Sequence, residues 1–325
     1  MKYSLLTIFI VIFGISDATA QYGQKATYRF LNVPVSAMAA SQGGVPVSVI
    51  HADPSQMHLN PAFLDSSASG KISISMARIL SESNMGFISG AWHHPVIGTI
   101  GAGLRFVNYG EMEQIDEYGL DRGAFSATDV AFKLAVSRNF ADIFQYALAA
   151  DIIHSSYDIY QSTGVGFSGG VLYKADEQDF SVGLSFVNLG RQLSTFNGIQ
   201  ENLPFDLRLG VTRKLMYLPL RLTFTAHHLH QWEMRSPGDE STPAFFTNLA
   251  RHMAVGGEFL FSESFKFRIG YNHYLHEELK TDRRLDLVGF GIGVAIRYKG
   301  IGIEFGRNSY SNLGSLLQLG INTRL

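Results

Sequence analysis

Along the C-terminal run 289–325, apolar and polar residues alternate at every second position. Phe290, Ile292, Val294, Ile296 and Tyr298 form one row, with Gly291, Gly293, Ala295 and Arg297 opposite. After Lys299-Gly300 the apolar row resumes at Ile301, Ile303 and Phe305. The chain finishes with Leu317, Leu319, Ile321, Thr323 and Leu325 alternating with Gln318, Gly320, Asn322 and Arg324. A period of two predicts half-buried strands, because a helix scatters such a row around its axis. An apolar face opposed by glycine and charge suits a barrel strand with hydrocarbon outside and a polar interior.

The pattern recurs from Lys71 onward in about fourteen segments, among them Lys71–Ile79, Thr99–Tyr109, Phe144–Tyr157, Leu220–His230 and Phe265–Tyr274. Short turns (Pro95–Ile97, Met216–Pro219, Ser262–Ser264, Lys299-Gly300) fall in every second connection. Longer ones (Gly110–Ala127, Gly190–Pro204, Gln231–Arg251, His276–Leu287) lie between them. This asymmetry is that of transmembrane barrels, with short periplasmic turns and longer external loops. In hydrocarbon an unpaired strand edge costs several kcal/mol per backbone group, so the sheet must close. The predicted fold class is therefore all-β, a transmembrane barrel of about fourteen antiparallel strands spanning residues 70–325.

A barrel wider than eight strands cannot fill its interior with its own side chains. Residues 21–69 are interrupted by Pro34, Pro46, Pro54 and Pro61, yet Phe30, Leu31, Val33, Val47 and Val49 make them too apolar for a disordered tail. They are expected to form an N-terminal hatch in the lumen, with one short helical turn at Ser36–Ser41. A periplasmic tail is the alternative. Inward glycines such as Gly270, Gly291 and Gly293 leave room for that segment, since glycine in a strand marks close approach of another backbone.

Composition fits this picture. Among 325 residues, 33 are glycine, 17% are charged and none is cysteine, and the net charge is -2. The absence of cysteine excludes disulfides and thiolate metal sites, and a near-zero charge excludes the basic surface of a nucleic-acid binder. Residues 1–20 read as a secretory signal peptide: Lys2, the apolar run Leu5–Gly14, and Ala18-Thr19-Ala20 as the cleavage site. That run is too short for a retained membrane anchor.

Candidate chemistry is sparse. His227, His228 and His230 beside Trp232 resemble a metal cluster, but on a continuous strand His227 and His228 point to opposite faces. They are read as part of an interfacial girdle, as is His93-His94. Inward charges (Arg105, Lys133, Asp151, Arg208, Arg221, Glu258, Lys266, Arg268, Arg297, Glu304) suggest either an anion-attracting pore or salt bridges from wall to hatch, with the bridges preferred. Phosphate-loop, nucleophile-elbow and zinc-protease motifs are absent. No catalytic, cofactor or metal site is expected. Function should sit in the external loops, where Trp232, Phe245, Phe246, Phe196, Tyr118 and Phe125 are the candidate docking residues. Local packing over the barrel mouth is the competing reading of the same residues. Phe224→Arg is expected to destabilise by about 2–4 kcal/mol, while Thr223→Arg, facing the lumen, should be better tolerated.

Leu31-Asn32-Val33-Pro34-Val35-Ser36-Ala37, then Gly43-Gly44, Asp53 and Asn60-Pro61-Ala62, resemble the N-terminal segment of the PorV/PorQ group of outer-membrane proteins. Gly183–Gly190 and the hairpin Arg297–Phe305 are similar to the same group, and the length and start of the mature chain are closest to its PorQ branch. That group belongs to the type IX secretion system and is related to the FadL-like barrels with fourteen strands and a hatch. The resemblance implies a hatch motif at Gly43, Gly44, Asp53, Asn60 and Pro61, and a non-enzymatic role with no cofactor. It further implies anchoring of a PorZ-like surface protein in an attachment complex with PorU and PorV. A FadL-like transporter of a hydrophobic small molecule is the alternative, disfavoured by the charge and glycine on the inward face.

Overall fold

The computed structural model describes residues 26–79, 83–115, 118–140, 143–175, 179–236, 241–280, 286–311 and 314–324. The expected signal peptide lies outside them. Seven strands form the first half: β1 (Lys71–Arg78), β2 (Asn84–His94), β3 (Gly98–Ile115), β4 (Asp121–Phe140), β5 (Phe144–Tyr157), β6 (Tyr160–Ala175) and β7 (Phe180–Ser194). The second half comprises β8 (Asp206–Lys214), β9 (Leu220–Ala226), β10 (Met253–Leu260), β11 (Phe265–Asn272), β12 (Phe290–Tyr298), β13 (Ile301–Ser311) and β14 (Gly314–Arg324). Each pairs antiparallel with its sequence neighbours, and β1 closes on β14 in a register running from Lys71↔Arg324 to Arg78↔Leu317.

Alternation decides which side faces out. Ile74, Leu104, Phe132, Ile152, Phe224 and Ile303 are exposed on the outer wall, whereas the intervening Ser73, Arg105, Lys133, Asp151 and Glu258 are buried inside. The outer surface is therefore an apolar band and the polar face is turned inward, as hydrocarbon requires.

Three expectations need correction. The stretch Gly110–Ala127 is not a plain loop: β3 and β4 continue past the apolar band as a hairpin, pairing Glu111↔Ser126 and Met112↔Phe125. Outside hydrocarbon the paired backbone still gains its ladder bonds while its side chains turn polar. Strand β9 ends at Ala226 instead of continuing to His230, and His228 takes a left-handed backbone conformation (φ 56) that turns the chain out of the strand. Thr223 faces inward as read, but the expected tolerance of bulk there fails: it is buried, and its hydroxyl lies 3.0 Å from Thr212 Oγ1, itself 2.7 Å from Ser48 Oγ of the N-terminal segment.

That burial changes the mutational expectation. Phe224→Arg should still cost about 2–4 kcal/mol by placing a guanidinium in hydrocarbon, but Thr223→Arg should now be no milder, since it overpacks a filled interior. Phe224→Leu and Thr223→Val are the mild controls, each expected within about 1–1.5 kcal/mol of the parent by denaturant unfolding in vesicles, the first as a conservative apolar swap and the second through loss of the Thr212 hydrogen bond.

The interior is filled by residues 26–70. Helix α1 (Ala37–Ser41) starts at Ser36, whose hydroxyl accepts from Ala39 N at 3.3 Å. It lies against inward glycines: a Cβ on Gly291 would sit 2.5 Å from Ala40 O, and one on Gly306 would sit 2.5 Å from Ala37 O. After α1 the chain turns at Gly43 and Gly44, both with positive φ (79 and 85). Three short 3-10 turns follow (Pro54–His58, Pro61–Phe63, Ser66–Ala68), each begun by an Asp or Asn side chain accepting a backbone N–H.

An irregular backbone leaves carbonyls that a dry interior cannot leave unpaired. Wall side chains supply the donors. Arg105 Nη1 donates to Leu31 O (2.7 Å), Gln145 Nε2 to Leu64 O (2.6 Å), and Asn308 Nδ2 to Ala40 O (2.9 Å). Ser181 and Ser185 donate to Ser48 O and Leu59 O at 2.7 and 3.0 Å. The inner segment is held from opposite sides of the cylinder, chiefly by neutral amides and hydroxyls.

Candidate functional site

The residues singled out near the start of the chain are fasteners. Asn60 is fully buried. Its Oδ1 accepts from Ala62 N at 3.0 Å, and its Nδ2 donates to Val47 O at 3.1 Å. Pro61 opens the next 3-10 turn, where its missing N–H costs nothing. Asp53 caps the preceding turn through Ser55 N at 2.8 Å. Gly43 O accepts from Asn272 Nδ2 at 2.9 Å, joining the inner segment to the wall at the rim where the long connections lie.

Inward charges pair mainly with other wall residues. Glu258 on β10 stands directly opposite Arg221 on β9 and Arg268 on β11. It accepts from Arg221 Nη1 at 2.7 Å and from Arg268 Nε at 2.8 Å. Arg268 also reaches Glu304 at 3.0 Å, and Lys133 meets Asp151 across strands at 2.6 Å. Contacts of this kind to the inner segment are fewer: Lys174 pairs with Asp65 at 3.1 Å, and His51 Nε2 lies 3.2 Å from Glu258 Oε1. The wall-to-hatch bridging expected from sequence is thus a minor part, because cross-strand neighbours are nearer. At the short-turn end a cavity of about 280 Å³ remains, lined by Lys71, Arg221, Lys266, Arg268, Arg297 and Glu304 among others, so its surface is charged.

The long-loop end carries a folded cap. Helix α2 (Phe245–Arg251) packs near helix α3 (His273–Leu279), joined by Arg251 Nη2 to Glu277 Oε2 at 3.2 Å. Helix α3 starts at Asn272, whose side chain accepts from Leu275 N. Asn248 fixes the loop before α2, accepting from Met234 N (2.9 Å) and donating to Trp232 O (2.5 Å). Trp232 stacks on His252 with ring centroids 5.3 Å apart and meets Phe245 at 5.6 Å; Phe245 meets Phe246 at 5.4 Å. These three aromatics stay 53%, 60% and 80% exposed.

The six residues suggested for docking do not form one surface. Trp232, Phe245 and Phe246 are brought together. Phe196 instead folds over Tyr157 (5.1 Å, stacked) and packs on the apolar core, so it serves local packing. Tyr118 is exposed beyond the β3–β4 hairpin, and Phe125 is half-buried on β4.

The left-handed turn at His228 has a consequence that strand periodicity conceals. Instead of facing opposite sides, the His227 and His228 rings lie 4.8 Å apart, with their Nδ1 atoms 2.5 Å from each other. Asp206, at the start of β8, accepts from His228 N at 2.6 Å. Burial, then the neighbouring His228, pushes the His227 imidazole down to about 3, and burial lowers His228 too, so both rings are neutral at pH 7.

No family model and no curated protein matches this chain. Among solved structures, the toluene transporter TodX of Pseudomonas putida is similar at 12% identity, covering 89% of this chain and 96% of its own, with a TM-score of 0.54. A FadL homologue of Pseudomonas aeruginosa is similar at 11% identity, covering 89% and 98%, with a TM-score of 0.52. The chain is a closed fourteen-strand antiparallel barrel whose fold is similar to those of TodX and the FadL homologue.

Proposed function

We propose that this chain is a non-enzymatic outer-membrane barrel of the type IX secretion system, of the PorV/PorQ group and its PorQ branch, that holds a PorZ-like surface protein through its long loops. In this reading both termini face the periplasm, and PorU and PorV belong to the same complex. The observation that carries it is the Trp232–Phe245–Phe246 cluster, exposed yet held on a folded cap by Asn248 and Arg251. Large exposed aromatics on a fixed scaffold are the kind of anchor that dominates protein interfaces. A lumen largely occupied by residues 26–70 and the stretch LNVPVSA at residues 31–37 support the same reading.

Affinity capture from native membranes in mild detergent tests it. The parent should recover a surface partner, and Trp232→Ala/Phe245→Ala/Phe246→Ala should reduce recovery at least tenfold while the barrel stays folded. Undiminished recovery by the triple variant discards the docking role.

The second reading, transport of a hydrophobic small molecule, is favoured by the likeness to TodX and the FadL homologue. The charged lining of the described cavity weighs against it. Saturable uptake of toluene into reconstituted vesicles would select it.

A further inference from the structure

We propose that Asp206, His227 and His228 form a binding site for one divalent transition-metal ion, Zn²⁺ by donor chemistry, at the long-loop rim between β8 and β9. The site is independent of which reading of the barrel's role holds.

The donor set is two imidazole nitrogens and one carboxylate oxygen, all within 4.8 Å of one another. Borderline ions such as zinc take this mixture, with three protein ligands and an open fourth position. Hard ions such as magnesium and calcium select oxygen instead. The Nδ1 atoms of His227 and His228 face each other at 2.5 Å, closer than the roughly 2.7–3.2 Å of an ordinary N–H···O bond. A cation received between the two lone pairs relieves that approach. Tetrahedral zinc, bonded at about 2.0–2.1 Å, asks the nitrogens to open to about 3.3 Å, within reach of ring rotation.

The turn assembles the donors. His228 holds φ at 56, in the left-handed region that histidine tolerates better than most residues, and the chain turns there where its ring meets that of His227. His227 Nε2, buried without a hydrogen-bond partner among the described residues, carries the ring's proton when Nδ1 binds the ion.

The surroundings suit a held ligand set. Asp206 Oδ2 accepts from Arg208 Nε at 2.6 Å and Oδ1 from His228 N at 2.6 Å, which fixes the carboxylate's orientation. Each oxygen keeps a second lone pair for the ion. Arg208 also places a positive charge beside the site, which weakens cation affinity and favours an anionic fourth ligand. Zinc binding is therefore expected at micromolar concentrations instead of the tighter range of closed structural sites. Tyr274 of α3 closes over the pair, its ring 4.9 Å from that of His228.

The test uses the full barrel, folded in detergent, stripped with chelator and dialysed against Zn²⁺, with metal content read by mass spectrometry. The parent should bind one equivalent. X-ray absorption should show a nitrogen and oxygen shell at about 2.0–2.1 Å. His227→Gln/His228→Asn, in which asparagine tolerates the left-handed backbone, should lose that equivalent, whereas His273→Ala/His276→Ala should keep it. Asp206→Asn should weaken binding about 10–100-fold, and it decides the matter if the double variant fails to fold. No zinc on the folded parent, or an equivalent retained without His227 and His228, or unaltered affinity in Asp206→Asn, overturns the proposal.

Discussion

Glu258→Ala should destabilise the folded barrel by about 3 kcal/mol or more, the range for breaking a buried ion pair from one side. The Glu258 side chain is 0% exposed, that of Arg268 3% and that of Arg221 20%, so water cannot replace the lost carboxylate fully. Arg268 keeps Glu304 at 3.0 Å, which places the cost toward the low end of the range. Arg221 and His51 have no such second partner among the described ion pairs. Denaturant unfolding in lipid vesicles measures the difference. A second variant separates pairing from packing. Converting Arg221, Glu258 and Arg268 together to leucine, with Glu304→Gln so that no carboxylate is left unpaired, removes every charge of the network and should recover much of the loss. A Glu258→Ala cost below about 1 kcal/mol would mean that the triad is as solvated as a surface salt bridge.

How much of this was legible beforehand follows from which interactions are periodic. The outward rows at Phe290–Tyr298 and Ile301–Phe305 were readable because hydrocarbon punishes every polar residue on that face, so alternation is enforced residue by residue. Glycines at 270, 291 and 293 likewise signalled an approaching backbone, and the structure places Gln42, Ala40 and Ser41 there. Where the chain leaves the strand register, the signal disappears. The turn at His228 follows from one backbone dihedral, and with it went the inference that His227 and His228 diverge. The donors Gln145, Ser181, Ser185 and Asn308 look like ordinary lumen residues until the carbonyls they meet are known. Charged residues drew notice first, but neutral side chains do most of the fastening. For Phe196 the sequence left docking and local packing open for a related reason: exposure in a loop cannot be told from packing over Tyr157 without tertiary structure.

Bulk added at the glycines that touch the inner segment should open the barrel without unfolding it. At Gly183 an added Cβ would lie 1.9 Å from Val47 O, and at Gly270 it would lie 2.6 Å from the backbone of Gln42 and Gly43. Both neighbours are main chain, and neither yields by changing a rotamer. The wall cannot retreat either, since Gly183 and Gly270 sit within ladders pairing Gly183↔Gly210 and Gly270↔Gly291. Gly183→Val/Gly270→Val should therefore displace the segment around residues 42–48 and leave strand pairing intact. A fourteen-strand cylinder emptied of its contents encloses water. In planar bilayers the parent should be nearly silent and the double variant should conduct, with residues 42–60 losing hydrogen-exchange protection while the strands keep theirs. Deletion of residues 26–69 should give the same conductance or more. If the valine variant stays closed and protected, the inner segment is compliant enough to shift aside locally, and the contacts at Asn60, Gln145 and Asn308 are then what hold it.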